Sequence, residues 1–183
     1  MSNFIIDPYK FKEPPQTYEQ LDSNVATSID ADKVFVGEGI NAADAELVGV
    51  TLASVTFKLA KNATPAGTVT AQVRNLGGGS DFTLVHDFGT TYTATDLPAS
   101  VDGSDATDHT FGESEGDDPM TSPLSNGDVI GVYYTGATGS NWVWIRYQNT
   151  DVYDGTKAIF QRYDDPTWTN QTGADCYFSF TST

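Results

Sequence analysis

The clearest pattern along the chain is alternation of apolar and polar residues with a period of two. From Leu52 to Leu59, Val55, Phe57 and Leu59 alternate with Thr56 and Lys58. After a turn at residues 62–67, marked by Pro65 and Gly67, Val69, Ala71 and Val73 alternate with Thr68, Thr70 and Gln72. Successive strand side chains point to opposite faces, so each run offers one apolar face, and the pair reads as an amphipathic hairpin on one core. Further strands are predicted at Val34–Val36, Phe82–Val85, Thr90–Thr95, Val129–Tyr134, Trp142–Tyr147, Ala158–Arg162 and Tyr177–Phe180, with a long acidic loop within 101–123 that His109-Thr110-Phe111 interrupts. Gly-, Asn- and Asp-rich turns separate them, among them Ser125-Asn126-Gly127-Asp128 and 136–140. Many strands at short spacing without intervening helices predict an all-β protein, an antiparallel two-sheet sandwich.

The first 33 residues break this pattern. Pro8, Pro14 and Pro15 restrict their neighbours to extended geometry, while Phe4, Ile5, Ile6, Tyr9, Phe11 and Tyr18 are too apolar for a solvated tail. We therefore divide the chain into an extended N-terminal docking arm, 1–33, and a β-sandwich domain, 34–183. Phe4, Ile5, Ile6, Tyr9 and Phe11 are the expected interface residues of the arm. No basic N-terminal region, no apolar run of signal-peptide length and no run of about 20 apolar residues is present. Synthesis in a cytoplasm, without a signal peptide or membrane insertion, is the expectation.

Charge narrows the partners. The 183 residues carry 25 acidic and 9 basic side chains, a formal net charge of −16, and 19 of the acids are Asp. Nucleic-acid affinity depends on Lys and Arg displacing phosphate counterions, so no nucleic-acid partner is expected. The acidity suits either an aggregation-resistant surface or a high-salt environment. The single cysteine, Cys176, shares strand parity with Phe178 and Phe180 and reads as a small core residue.

Three groups of residues carry candidate chemistry. Trp142, Trp144 and Arg146 share one face of a strand whose other face is Val143, Ile145 and Tyr147. Two Trp and one Arg suit a sugar-stacking platform or a protein-interface hot spot, and a bulge would instead bury a Trp in the core. Tyr153, Tyr163 and Trp168 follow and would extend either surface. Asp102, Asp105 and Asp108, around Gly103, resemble oxygen-rich calcium loops, although they do not keep the register of a twelve-residue calcium-binding loop. Asp117 with Asp118 and Asp164 with Asp165 form similar clusters. His86 and His109 lie in or beside loops, read as surface residues, and no Ser or Cys stands in a nucleophile elbow. Carboxylates are numerous enough for a glycosidase pair, but nothing in the sequence singles one out, so no enzyme is expected and no catalytic residue is assigned.

Residues 34–181 resemble a known family. Leu52-Ala53-Ser54-Val55-Thr56-Phe57-Lys58-Leu59, Pro65-Ala66-Gly67-Thr68-Val69-Thr70-Ala71, Thr95-Asp96-Leu97-Pro98, Leu124 to Tyr134 and the closing Trp168 with Asp175 to Phe180 are similar to landmarks of a jelly-roll β-sandwich domain. That domain is found in virion and tail proteins of tailed viruses, and it also resembles carbohydrate-binding modules. The resemblance implies a jelly-roll-like fold and no catalytic residues. It points to a virion structural protein, a capsid decoration or tail-associated sandwich, present in many copies or as a homo-oligomer. Its implied partners are other virion proteins such as a major capsid or tail protein. A carbohydrate-binding module using the aromatic sheet platform, with a host glycan as ligand, is the alternative.

Overall fold

A computed structural model describes residues 14–77, 82–112, 119–164 and 166–183. In chain order the strands are β1 (Thr17–Gln20), β2 (Val25–Ile29), β3 (Lys33–Ile40), β4 (Leu52–Asn62), β5 (Thr68–Asn75), β6 (Thr83–Thr93), β7 (Thr107–Phe111), β8 (Asp128–Tyr134), β9 (Trp142–Gln148), β10 (Ala158–Asp164), β11 (Thr167–Gln171), β12 (Asp175–Cys176) and β13 (Phe178–Ser182). They form two sheets. The first runs β1-β13-β4-β9-β12, with β2 added on β9 and β7 on β4. The second runs β11-β10-β3-β8-β5-β6. Every pairing between named strands is antiparallel. The protein is an all-β, two-sheet, jelly-roll-like sandwich.

The alternation seen in the sequence builds the core. Val55, Phe57 and Leu59 of β4 meet Val69, Ala71 and Val73 of β5, all fully buried. The expected hairpin, however, does not form. β4 pairs with β13, β7 and β9 in the first sheet, whereas β5 pairs with β6 and β8 in the second. The 62–67 turn therefore crosses between sheets, and the two apolar faces meet across the core. Burying a side chain such as Val55 or Phe57 contributes roughly 1.5–3 kcal/mol, which fixes which face of each strand points inward. Cys176, Phe178 and Phe180 are buried on that side, as their parity requires.

Part of the expected arm belongs to the sandwich. Thr17–Gln20 pairs with Phe178–Thr181, and Val25–Ile29 pairs with Val143–Tyr147, so a boundary at residue 34 leaves two strands of the first sheet on the arm side. Ile29 is completely buried. Phe4, Ile5, Ile6, Tyr9 and Phe11 lie outside the described residues.

The second sheet has an aromatic cluster on its outer face. Phe35, Val129 and Tyr163 are buried there beneath Phe82, Tyr133 and Trp168. Phe82 stacks on Tyr163 at 4.1 Å, and the Arg74 guanidinium lies 4.2 Å from the Phe82 ring centre. Close strand packing below them requires glycine: a Cβ on Gly131 would stand 2.4 Å from the Val36 carbonyl oxygen and 2.8 Å from the Phe35 ring.

Candidate functional site

β9 carries the residues that matter most. Val143 and Ile145 enter the core, so Trp142, Trp144 and Arg146 project from the outer face of the first sheet, as their spacing predicts. They do not form an open platform. The Trp144 indole N–H donates to the Ser100 carbonyl at 3.1 Å, which fastens the 98–106 loop over the sheet. Gly103 (φ 80°) presses that loop onto Ala26 and Trp144: a Cβ there would be 2.4 Å from the Ala26 Cβ and 3.3 Å from the Trp144 Cβ. Arg146 turns the other way. Its Nη2 donates to the Ser23 carbonyl at 2.9 Å and holds the turn that leads into β2.

Trp142 is placed differently. Its ring meets Trp144 edge to face at 5.4 Å. It lines an open cleft of about 360 Å³ with Ser28, Asp30, Asp32, Ala137 and Asn141. Its indole N–H is buried and has no hydrogen-bond partner among the described residues. Asp30 is held by the Ser28 hydroxyl at 2.6 Å and by the Lys33 and Asp32 amides at 3.0 and 3.2 Å. Those donors and the Lys33 ammonium outweigh partial burial and keep the Asp30 carboxyl below the usual carboxylate range. The cleft thus combines an aromatic ring with a fixed carboxylate, a second exposed carboxylate and an amide. Trp168 does not join it: Trp168 pairs with Tyr163 in the β10–β11 hairpin, in the aromatic cluster of the other sheet. Tyr163 belongs to that cluster, whereas Tyr153 packs into the main core.

The expected calcium loop is used otherwise. Asp102 Oδ1 accepts from the Ser104 amide at 3.0 Å and closes its own turn. Asp108 lies on β7, opposite Lys58 of β4. Burial, and then the Asp108 carboxylate, push the neighbouring Tyr177 phenol up to about 12. Asp102, Asp105 and Asp108 are therefore not gathered around one point, and among the described residues no group of three or more His, Cys, Asp or Glu is placed to hold a metal. Asp117, Asp118 and Asp165 lie outside the described residues. The histidines are not simple surface residues. His109 is half-buried against Tyr92 at 4.8 Å, and burial lowers its pKa; His86 is half-buried against Phe88 at 4.8 Å.

A second polar feature lies inside the sandwich. Glu38 of β3 and Asp175 of β12 are both wholly inaccessible to solvent. Glu38 Oε2 accepts the Cys176 amide at 2.8 Å across the two sheets. Asp175 Oδ2 accepts the Val152 and Tyr153 amides at 2.6 and 2.9 Å. The sequence signal for Glu38 is its parity with Val36 and Ile40, which places a carboxyl on the core face.

These features define a two-sheet antiparallel β-sandwich with one aromatic cleft on the outer face of its first sheet. No protein-family model and no curated protein matches the chain. One solved structure, "Structure of infectious bursal disease virus Gt strain", aligns over 100% of this chain at 13% identity, with a TM-score of 0.22. The chain spans 44% of that chain's length. A TM-score this low carries no conclusion about fold or function. Among the described residues no helix is long and apolar enough to cross a membrane.

Proposed function

We propose that the chain is a non-enzymatic virion structural protein of a tailed virus, a capsid decoration or tail-associated sandwich held in many copies through its N-terminus. The observation that carries this reading is the position of β1. Among the described residues it stands at the end of the first sheet's strand order, next to β13, and residues 1–13 lead into it with Phe4, Ile5, Ile6, Tyr9 and Phe11. Beside it lies an open groove of about 380 Å³ lined by Glu19, Gln20, Leu21, Asp22, Val152 and Tyr153. Leu21 and Val152 are 51% and 57% exposed, so the groove offers apolar surface beside the strand that the N-terminal residues enter. The resemblance of residues 34–181 to virion and tail sandwich domains supports the same reading. Five apolar side chains buried on a major capsid or tail protein would contribute roughly 7–15 kcal/mol before ordering costs.

The test is deletion of residues 2–13 in the genome that encodes the chain, with mass spectrometry of purified particles. The expected result is loss from particles of a protein that still unfolds cooperatively. Incorporation at unchanged copy number would overturn the proposal.

The Trp142 cleft favours a second reading, binding of a host glycan. Sugar rings stack on aromatic faces, and carboxylates and amides accept and donate to their hydroxyls. Here Trp142 would supply the ring, with Asp30, Asp32 and Asn141 around it. Trp142→Ala should abolish binding to glycan arrays without unfolding the protein. An array without hits for the unmodified chain would sink this reading.

A further inference from the structure

Among the described residues the carboxyls in the core have no basic partner. Glu38 Oε1, Asp175 Oδ1 and Asp151 Oδ1 are each buried without a hydrogen-bond partner among the described residues. The groups that act on Glu38 are Asp175 of β12 and Asp151 of the 149–154 loop. Tyr153 of the same loop feels Glu38 together with Glu46 and Asp154, and the Cys176 thiol feels Glu38 and Asp175. No Lys, Arg or His figures in these interactions. Burying an unpaired charge is strongly unfavourable, and two adjacent carboxylates cannot both ionise cheaply. Burial, and then the charge of Asp175, push the Glu38 carboxyl well above the usual range. Burial also raises Asp175, but its two backbone amide donors oppose this. The difference in hydrogen bonding assigns the charge to Asp175 and the proton to Glu38.

We propose that Glu38 is a neutral acid whose proton closes a pH-sensitive latch between the second sheet and the β12 and 149–154 segments of the first. With the proton in place, Glu38 holds the Cys176 amide, and Asp175 holds the Val152 and Tyr153 amides. Once Glu38 ionises, its charge opposes those of Asp175 and Asp151. Water reaches the three carboxyls by release of the 149–154 loop. Val152 and Tyr153 also line the groove beside β1, so opening the latch would reshape that groove. The latch itself does not depend on what the groove binds.

The sign follows from proton linkage. An unfolded glutamic acid ionises near pH 4.3, and the folded one ionises higher. The latch therefore contributes fully below about pH 4.3 and is lost as pH rises through the folded value. Between the two values the unfolding constant rises up to about tenfold per pH unit.

The experiment is urea unfolding of the full chain from pH 4.5 to 9 in 0.5 M KCl, which screens the exposed acids more than the buried ones. The unmodified protein should lose stability as pH rises, and Glu38→Gln, which keeps shape and neutrality, should remove most of that slope. An equal slope in both proteins would overturn the proposal. If Glu38→Gln does not fold, hydrogen exchange of the Val152, Tyr153 and Cys176 amides in the unmodified protein decides. Their exchange should rise with pH more steeply than hydroxide catalysis alone requires, and a slope equal to that of catalysis would overturn the proposal. Stabilisation at pH 8 by Ca²⁺ or Mg²⁺ that EDTA reverses and Glu38→Gln abolishes would place a cation where we place the proton, and would also overturn it.

Discussion

Replacing Trp144 separates a structural tryptophan from a ligand-binding one. Trp144 is half-buried, packs edge to face with Trp142, and anchors the 98–106 loop through its indole N–H to the Ser100 carbonyl. Trp144→Phe keeps a ring but loses the hydrogen bond, a cost of about 0.5–1.5 kcal/mol. Trp144→Ala also loses the ring pair, worth about 0.5–1.5 kcal/mol, and part of the roughly 3–5 kcal/mol of a fully buried aromatic truncation. About 2–4 kcal/mol in all follows. In a protein of this size each kcal/mol shifts Tm by about 2–4 °C, so calorimetry should show drops of about 1–6 °C for Trp144→Phe and about 4–16 °C for Trp144→Ala. Hydrogen exchange should speed up at the Ser100 amide, which bonds to the Lys61 carbonyl of β4, and at the Ala106 amide, which bonds to the Gly103 carbonyl within the loop. An unchanged Tm in Trp144→Ala, or unchanged exchange at both amides, would refute the assignment of Trp144 as the loop anchor.

Two further substitutions test the packing. Gly131→Ala places a methyl group 2.4 Å from a backbone oxygen that cannot rotate away, and urea denaturation should show at least about 1–3 kcal/mol of destabilisation. Tyr134→Phe removes the 2.8 Å hydrogen bond from the phenol to the Ala66 carbonyl while leaving the buried ring. It should cost about 0.5–1.5 kcal/mol with an unchanged m-value.

Period-two alternation revealed which side of a strand faces the core, but not which strand lies next to it. It placed Val55, Phe57, Val69, Val73, Val143, Ile145 and Phe178 inside, where they are. The same pattern fits a hairpin and a crossing between sheets equally well, because in both cases the apolar faces of β4 and β5 reach one core. β1, β2 and β11 left little trace. Thr17–Gln20 and Thr167–Gln171 are short, mostly polar and partly exposed, and are held by backbone pairing with β13 and β10. The facing of Trp142, Trp144 and Arg146 was legible from their spacing. What covers them was not, since Ser100 and Ser23 are 44 and 123 residues away along the chain. The place of Trp168 depends on the Tyr163–Trp168 register of a hairpin whose second strand has no alternation to reveal it.

The charge of the chain constrains how copies of it can be arrayed. At −16 per chain, neighbouring sandwiches repel wherever their surfaces approach within about 8–10 Å, the screening length near physiological ionic strength. Ionic attraction between copies offsets little of this, since nine basic side chains stand against 25 acidic ones. Lys33, Lys157 and Arg162 are already paired with Asp30, Asp44 and Asp164 of the same chain. The proposed attachment through an apolar N-terminus would solve the problem by placing the attractive contacts on another protein and leaving the acidic surfaces spaced apart. The two modes differ in the sign of their salt dependence. Attachment by apolar burial, with repulsion between neighbours, tightens as salt is added, whereas attachment by acidic surface to a basic partner weakens. Retention of the protein on purified particles should therefore rise, or hold, between about 0.05 and 0.5 M KCl. Release across that range would shift the anchor from the N-terminal residues to the acidic faces of the sandwich.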